Sequence, residues 1–334
     1  MLQHLVCSPI LLESQITRLP LLQKINMKNE IRIFSPATVA NVACGFDVLG
    51  FCLDTKGDEM VIRKTKEKGI KITHIEGYDL PYGVNKNVAG VSALAMYEHA
   101  KPDGGFEIEI YKHIKPGSGI GSSAASAVGS VFGMNELLGK PYNKTQLTYF
   151  AMKGEALASK SEHADNLAPA IFGGFTLVKS TLPLDILQIP TPLDLYATII
   201  HPQIEIKTSE AREILPKKVL LKDAITQWAN VGSFVHALHT SDYKLIHRSL
   251  QDIIVEPYRK QLISHFDDVK FAAMEAGALG CAISGSGPSI FTLNKGMEIT
   301  KNVKEAIELV YSKTNIDFEV HNSKINTQGI KIIN

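Results

Sequence analysis

No apolar run in the chain approaches the ~18–20 residues of a membrane-spanning helix, so no helical span is expected. Cysteine is scarce: Cys7, Cys44, Cys52 and Cys281 form no C-x-x-C pair and have no metal-site spacing. That excludes a disulfide scaffold and a thiolate zinc site, and free thiols in a reducing cytoplasm are expected. There is almost no excess of either charge, 35 Lys and Arg against 34 Asp and Glu. A nucleic-acid binder working through a dense basic face is therefore disfavoured. Internal repeats and low-complexity tracts are lacking too, which rules out solenoids and long linkers.

What remains is the composition of an ordinary globular protein, 45% apolar and 21% charged over 334 residues. That length suits two packed domains. Pro183, Pro190 and Pro192 crowd one stretch, and the boundary is expected there, giving domains at residues 27–182 and 183–334. Residues 1–26 are mildly apolar, with no basic segment ahead of Leu5-Val6, and do not read as a signal peptide. They are expected to be a loosely attached extension, or to precede a natural start at Met27, after which a strand-like pattern begins at once.

The most informative stretch is Pro116-Gly-Ser-Gly-Ile-Gly-Ser-Ser-Ala-Ala-Ser126. Before it, Gly105-Phe-Glu-Ile-Glu-Ile-Tyr-Lys-His-Ile114 alternates as a strand does; after it, Ser126 to Leu138 has helical spacing. Gly117, Gly119 and Gly121 thus sit where a strand passes into a helix. Glycines admit a ligand close to the backbone, and the first helical turn presents unpaired N–H groups, so a phosphate fits. The loop has no Walker lysine, and Ser122 stands where a Rossmann fingerprint wants glycine. A capped glycine-serine turn is the plain alternative.

Three separated motifs then identify the chain as similar to the GHMP small-molecule kinase superfamily. They are Ser35-Pro-Ala-Thr-Val-Ala-Asn41 through Gly45-Phe-Asp-Val-Leu-Gly50, the Pro116–Ser126 loop, and Cys281-Ala-Ile-Ser-Gly-Ser-Gly-Pro-Ser289. Their order agrees over roughly residues 29–325. With Ser161-Glu-His-Ala-Asp-Asn166, the first motif most resembles the branch that phosphorylates L-homoserine for threonine synthesis. The resemblance implies an α+β, two-domain GHMP kinase fold: an N-terminal domain like domain 2 of ribosomal protein S5 and a ferredoxin-like C-terminal domain. It also implies ATP and Mg²⁺ as cofactors, a cytoplasmic homodimer, and neither nucleic acid nor membrane as partner.

Site residues follow from the same resemblance. Pro116, Gly117, Ser118, Gly119, Ile120, Gly121, Ser122, Ser123 and Ala124 would wrap the ATP phosphates, with Asn87 beside the adenine. Ser123 and Glu155 would hold Mg²⁺, with Ser122 as the alternative hydroxyl. Arg212 and Arg259 match carboxylate-binding arginines, since a guanidinium binds a carboxylate through two hydrogen bonds. Asp47, with Asn41 beside it, would take the substrate ammonium, while His163, Asp165 and Asn166 would surround the side chain that is phosphorylated. Thr208 matches a position near the phosphates, and Gly285, in the turn Ser284-Gly-Ser-Gly287, would close over the substrate. Positioning and Mg²⁺ are expected to carry catalysis, with Asp165 orienting the hydroxyl rather than acting as a strong base.

Each residue has a plainer reading beside this one. Asn87 suits a helix cap, Asp47 a turn, Glu155 a solvated helix face, Ser284–Gly287 a tight hairpin, and either arginine the surface. Two other functions are also compatible with the motifs: a mevalonate- or sugar-type kinase, and a non-catalytic S5-like nucleic-acid binder.

Overall fold

The computed structural model describes residues 29–159 and 163–333, so the expected extension at 1–26 lies outside the described residues. The chain order is β1 (Glu30–Ala40), β2 (Leu49–Thr65), β3 (Gly69–Glu76), α1 (Val88–Ala100), β4 (Gly105–Tyr111), α2 (Ser122–Leu137), α3 (Lys144–Ser159), α4 (Leu167–Phe172), β5 (Phe175–Thr181) and β6 (Leu184–Ile189). Then come β7 (Leu195–Pro202), α5 (Thr208–Glu213), α6 (Leu221–Thr240), α7 (Tyr243–Ser249), α8 (Glu256–Arg259), α9 (Phe266–Glu275), β8 (Gly280–Ile283), β9 (Ile290–Lys295), α10 (Gly296–Tyr311), β10 (Phe318–Lys324) and β11 (Lys331–Ile333). No described helix is long and apolar enough to cross a membrane.

The first sheet runs β11-β1-β2-β4-β3, with β5 and β6 continuing from the other end of β2. β2 is long enough to serve both: Glu59–Thr65 pairs with β4, and Leu49–Phe51 pairs with β5. Helices α1 to α4 cover this sheet through a core that includes Ile33, Met60, Ile62, Ile108, Val131 and Met134. The second sheet, β10-β7-β9-β8, is antiparallel throughout and carries α9 and α10. An α+β chain of two sheet bodies is therefore observed, as expected.

A single core crosses between the bodies. Phe51 stacks 5.0 Å from Phe175 and meets Phe291 edge-on at 5.6 Å, while Phe175 touches Phe234 at 5.8 Å. All four rings are fully buried, each contributing roughly 1.5–3 kcal/mol. The crevice between the bodies is thus held by rigid walls.

One expectation needs correction. The boundary placed at 182/183 falls inside the β5–β6 hairpin, where Thr181 pairs with Leu184, and β11 returns from the far end to pair with β1. Pro183 and Pro190 flank β6 without interrupting it, and β6 has an edge where a missing N–H costs nothing. The motif segment 35–40 continues β1; Pro36 sits where the register with β2 shifts, which is where a strand tolerates proline. Residues 256–275 form α8, a 3₁₀ turn at Lys260–Leu262 and α9 rather than one continuous helix.

His201 on β7 is buried, its Nδ1 lying 3.1 Å from the Ser289 hydroxyl. Burial, helped by the nearby Lys115 charge, pushes its pKa down to about 4. The unfolded chain takes up this proton near its ordinary value of 6.5 and the folded chain does not. Stability is therefore complete above that value and falls as pH drops toward about 4, by up to roughly 3 kcal/mol. Urea midpoints should fall between pH 7 and about pH 4.5 in the native chain, and the fall should be clearly smaller in His201→Gln. Equal falls would show that His201 does not set the acid limb.

Candidate active site

The three glycines of the loop between β4 and α2 all adopt left-handed backbone, with φ of 74°, 82° and 71° at Gly117, Gly119 and Gly121. Two have a steric requirement as well. A Cβ on Gly121 would sit 2.2 Å from the Thr38 hydroxyl, and one on Gly119 would sit 2.6 Å from the Gly287 carbonyl. The loop is consequently clamped: Ser284 donates to the Gly119 carbonyl at 2.8 Å, and the Thr38 amide donates to Ile120 O at 3.2 Å. Gly121 opens α2 with no side-chain cap, leaving the first-turn N–H groups turned toward the crevice.

Behind the loop lies a charge that the sequence reading did not single out. Lys112 is buried and pairs with buried Asp58, while donating to the Ser122 carbonyl at 2.9 Å and to the Ser126 hydroxyl at 3.0 Å. Asp58 in turn accepts from the His113 and Ile114 amides at 2.8 and 2.9 Å. A signal was present, because Phe106, Ile108 and Ile110 take the inward slots of an alternating strand and Lys112 takes the next.

Of the two candidate serines, Ser122 is committed to the Ile114 carbonyl at 2.9 Å, whereas Ser123 hydrogen-bonds the Glu155 carboxylate across from α3. Burial pushes the Glu155 pKa up to about 7, the Ser123 bond opposes that, and the Asp165 charge adds to it. Hydroxyl plus carboxylate is a hard-oxygen pair beside a phosphate cradle, and it fits Mg²⁺ completed by phosphate oxygens. No group of three or more His, Cys, Asp or Glu suited to a metal occurs among the described residues, which argues against a zinc-type cage.

The opposite end of the crevice is charged. Arg212 of α5 donates to both Asp47 oxygens at 3.0–3.2 Å, and its Nη2 lies 3.0 Å from His163 Nε2. A guanidinium only donates, so that imidazole nitrogen accepts, which puts the proton of neutral His163 on Nδ1, 3.8 Å from Asp47. Burial also lowers the His163 pKa, which agrees with the neutral form. Arg259 of α8 is almost wholly buried, donating to Ala211 O at 2.8 Å and Gly285 O at 3.0 Å. Desolvation, then Arg212, brings its pKa down to about 10, so it stays charged at neutral pH. Phe46 lies between the two arginines, 5.5 and 5.0 Å from their guanidinium carbons.

Asn41 begins a run of three left-handed residues, Asn41, Val42 and Ala43, at φ of 70°, 37° and 54°. A β-branched residue there is strained, and such turns persist only when their surroundings over-determine them. Asn41 donates to Gly285 O at 2.6 Å and accepts from the Asp47 amide at 2.9 Å, so it sets where Asp47 stands. Thr38 donates to Asn166 Oδ1 at 2.8 Å, fixing which way that amide faces. Asp165 is buried; desolvation, then the Asp47 charge, raises its pKa to about 7.

Eighteen of the twenty residues named from sequence line one crevice of about 390 Å³. The exceptions, Ile120 and Ala124, are buried behind the loop and support it. Asn87 caps α1 by accepting from Ala89 N at 3.0 Å, and it also lines the crevice near Pro81 and Lys86. Thr208 lies 3.4 Å from the Ser286 hydroxyl on the rim.

Comparison with known proteins points to one family. The family descriptions "GHMP kinases N terminal domain" and "GHMP kinases C terminal" match residues 87–174 and 234–312. Homoserine kinase of Chlorobium phaeobacteroides (strain BS1) is 44% identical over 314 residues, 90% of this chain and 98% of its own. That of Pyrococcus abyssi is 40% identical over 83% of this chain and 92% of its own. A crystal structure of homoserine kinase from Cytophaga hutchinsonii superposes with a TM-score of 0.90 at 50% identity, covering 93% of this chain and all of the other. A mevalonate kinase from L. major, at 14% identity and a TM-score of 0.68 over 89% and 98% of the two chains, shares the fold alone.

Proposed function

This chain belongs to the homoserine kinases, a branch of the GHMP kinases, and on that premise we propose how its crevice divides between two substrates. The enzyme transfers a phosphoryl group to the side-chain hydroxyl of homoserine, and the mevalonate- or sugar-type and nucleic-acid-binding alternatives are not favoured. The observation that carries the proposal is the convergence of the glycine loop, Glu155 and both arginines on one crevice.

ATP occupies the end lined by Asn87 and the loop. Its phosphates accept from the free N–H groups at the start of α2, with the buried Lys112 charge behind them. Ser123 and Glu155 hold Mg²⁺, which supplies charge neutralisation for the transferring phosphoryl group when bound. Homoserine occupies the other end, its carboxylate on Arg212 and Arg259 and its ammonium on Asp47. Its hydroxyl, held by Asn166 and Asp165, attacks the γ-phosphorus as the bond to the ADP oxygen breaks, and its proton leaves late to the transferred phosphoryl oxygens. A homodimer as the working form is an expectation from the same family resemblance.

Asp165 orients the hydroxyl and is not a required base, since an amide can hold that hydroxyl too. Asp165→Asn should therefore keep kcat within about tenfold of wild type. A fall of several orders of magnitude with homoserine binding unchanged would make Asp165 the base.

The assignment is tested by coupled measurement of ADP release. Turnover should require both Mg²⁺ and homoserine. Preference for mevalonate, galactose or shikimate, or turnover without a divalent cation, would overturn it.

A further inference from the structure

Outside the crevice, a buried glutamine joins the strained substrate turn to the helix that carries Arg259. Gln227 on α6 donates through Nε2 to the Cys44 carbonyl and to Asp252 Oδ1, both at 3.1 Å, while its Oε1 accepts from the Ile253 amide at 3.1 Å. Both amide protons and the carbonyl are thus used. Cys44 follows directly on the left-handed run Asn41–Ala43 and lies three residues before Asp47. Asp252 accepts from the Ile254, Val255 and Glu256 amides at 2.9 Å each, fixing the start of α8 and so the position of Arg259.

We propose that Gln227 is a positioning residue that sets the spacing between Asp47 and Arg259, and hence the fit of the amino acid. It does not line the crevice. Its influence passes through two rigid pieces that the substrate must bridge, the turn bearing Asp47 and the helix bearing Arg259. The direct ties, Gly285 O shared by Asn41 and Arg259 and the Phe46 ring against the Arg259 guanidinium, meet at the Arg259 side chain and so fix these pieces at one place. Gln227 supplies the second, and two points are needed to stop one piece pivoting about the other. Among the described residues the hydrogen bonds of Gln227 go to Cys44, Asp252 and Ile253 and none to the glycine loop, so the nucleotide end should be independent of it.

The inference rests on the assignment of the crevice's two ends given above. In the full-length enzyme, Gln227→Leu removes all three bonds at similar volume, and Gln227→Glu keeps the acceptor for Ile253 while placing a carboxylate against Asp252. Both should raise KM for homoserine about tenfold, with KM for ATP and kcat within about twofold. Gln227→Glu should regain part of the loss at low pH, where its carboxyl is protonated and can donate; a purely packing role would not respond to pH in this way. If Gln227→Leu does not fold, the glutamate variant and its pH profile decide alone. KM values for the two substrates that stay unchanged, or that rise together, overturn the proposal. Wild-type enzyme that ignores homoserine would instead overturn the assignment of the site, whatever the variants do.

Discussion

Glu155→Gln will lower kcat about 1,000-fold while changing KM for homoserine by less than about threefold. The carboxylate reaches the cradle from α3 and hydrogen-bonds the Ser123 hydroxyl. An amide of the same shape keeps that contact but loses the anionic oxygen that a hard dication requires. The homoserine end, built from α5, α8 and the Asn41–Asp47 turn, is untouched. Stability should not fall, because desolvation disfavours the carboxylate in the free enzyme and an amide is relieved of that cost. The expected result is a Tm at or above wild type together with lost turnover, and a much higher Mg²⁺ concentration for half-maximal rate. More than a tenth of wild-type kcat at ordinary Mg²⁺ would remove Glu155 from the metal site.

How much of this was legible depended on how local each feature is. The glycine loop carries its own geometry, since left-handed backbone at alternate positions demands glycine wherever the chain is placed. Strand alternation and helical spacing likewise revealed β4 and α2, because each signal is complete within one element. β11 was not legible: three residues, Lys331–Ile333, form a strand only because β1 offers them an edge. α4 was hidden in the same way, its six residues being an apolar run with no polar face to set a period. Within the site, residue types could be proposed by motif, but what distinguishes Ser122 from Ser123, the Ile114 carbonyl claiming the first, lies outside the motif. Gln227 could not have been found at all, since its acceptor lies 183 residues away and a glutamine on a helix is otherwise unremarkable. Phe46, between two arginines from different helices, had no signal for the same reason.

The second large effect concerns the charged end of the crevice. Arg212→Ala should raise KM for homoserine about 100-fold, with KM for ATP little changed. Without substrate, Arg212 and Asp47 neutralise each other in a half-exposed bidentate pair, which on its own contributes at most about 1 kcal/mol to stability. Homoserine brings one charge of each sign, so it can insert between the partners and satisfy both, its carboxylate replacing Asp47 and its ammonium replacing Arg212. A molecule with only one of those charges must break the pair and leave an orphan, now covered from water. The crevice should therefore select for a zwitterion more strongly than either arginine or aspartate alone would. 3-Amino-1-propanol, which lacks the carboxylate, should be a very poor substrate for the wild type and lose far less than homoserine in Arg212→Ala. The double variant Asp47→Asn/Arg212→Ala should lose less than the product of the two single fold-losses, because removing both charges leaves neither unpaired. Arg212 is the better residue to test than Arg259, whose guanidinium also holds the Ala211 and Gly285 carbonyls, so that its loss would mix binding with stability. A KM for homoserine within about threefold of wild type in Arg212→Ala would place the carboxylate elsewhere and leave the Asp47 pair as a structural clasp.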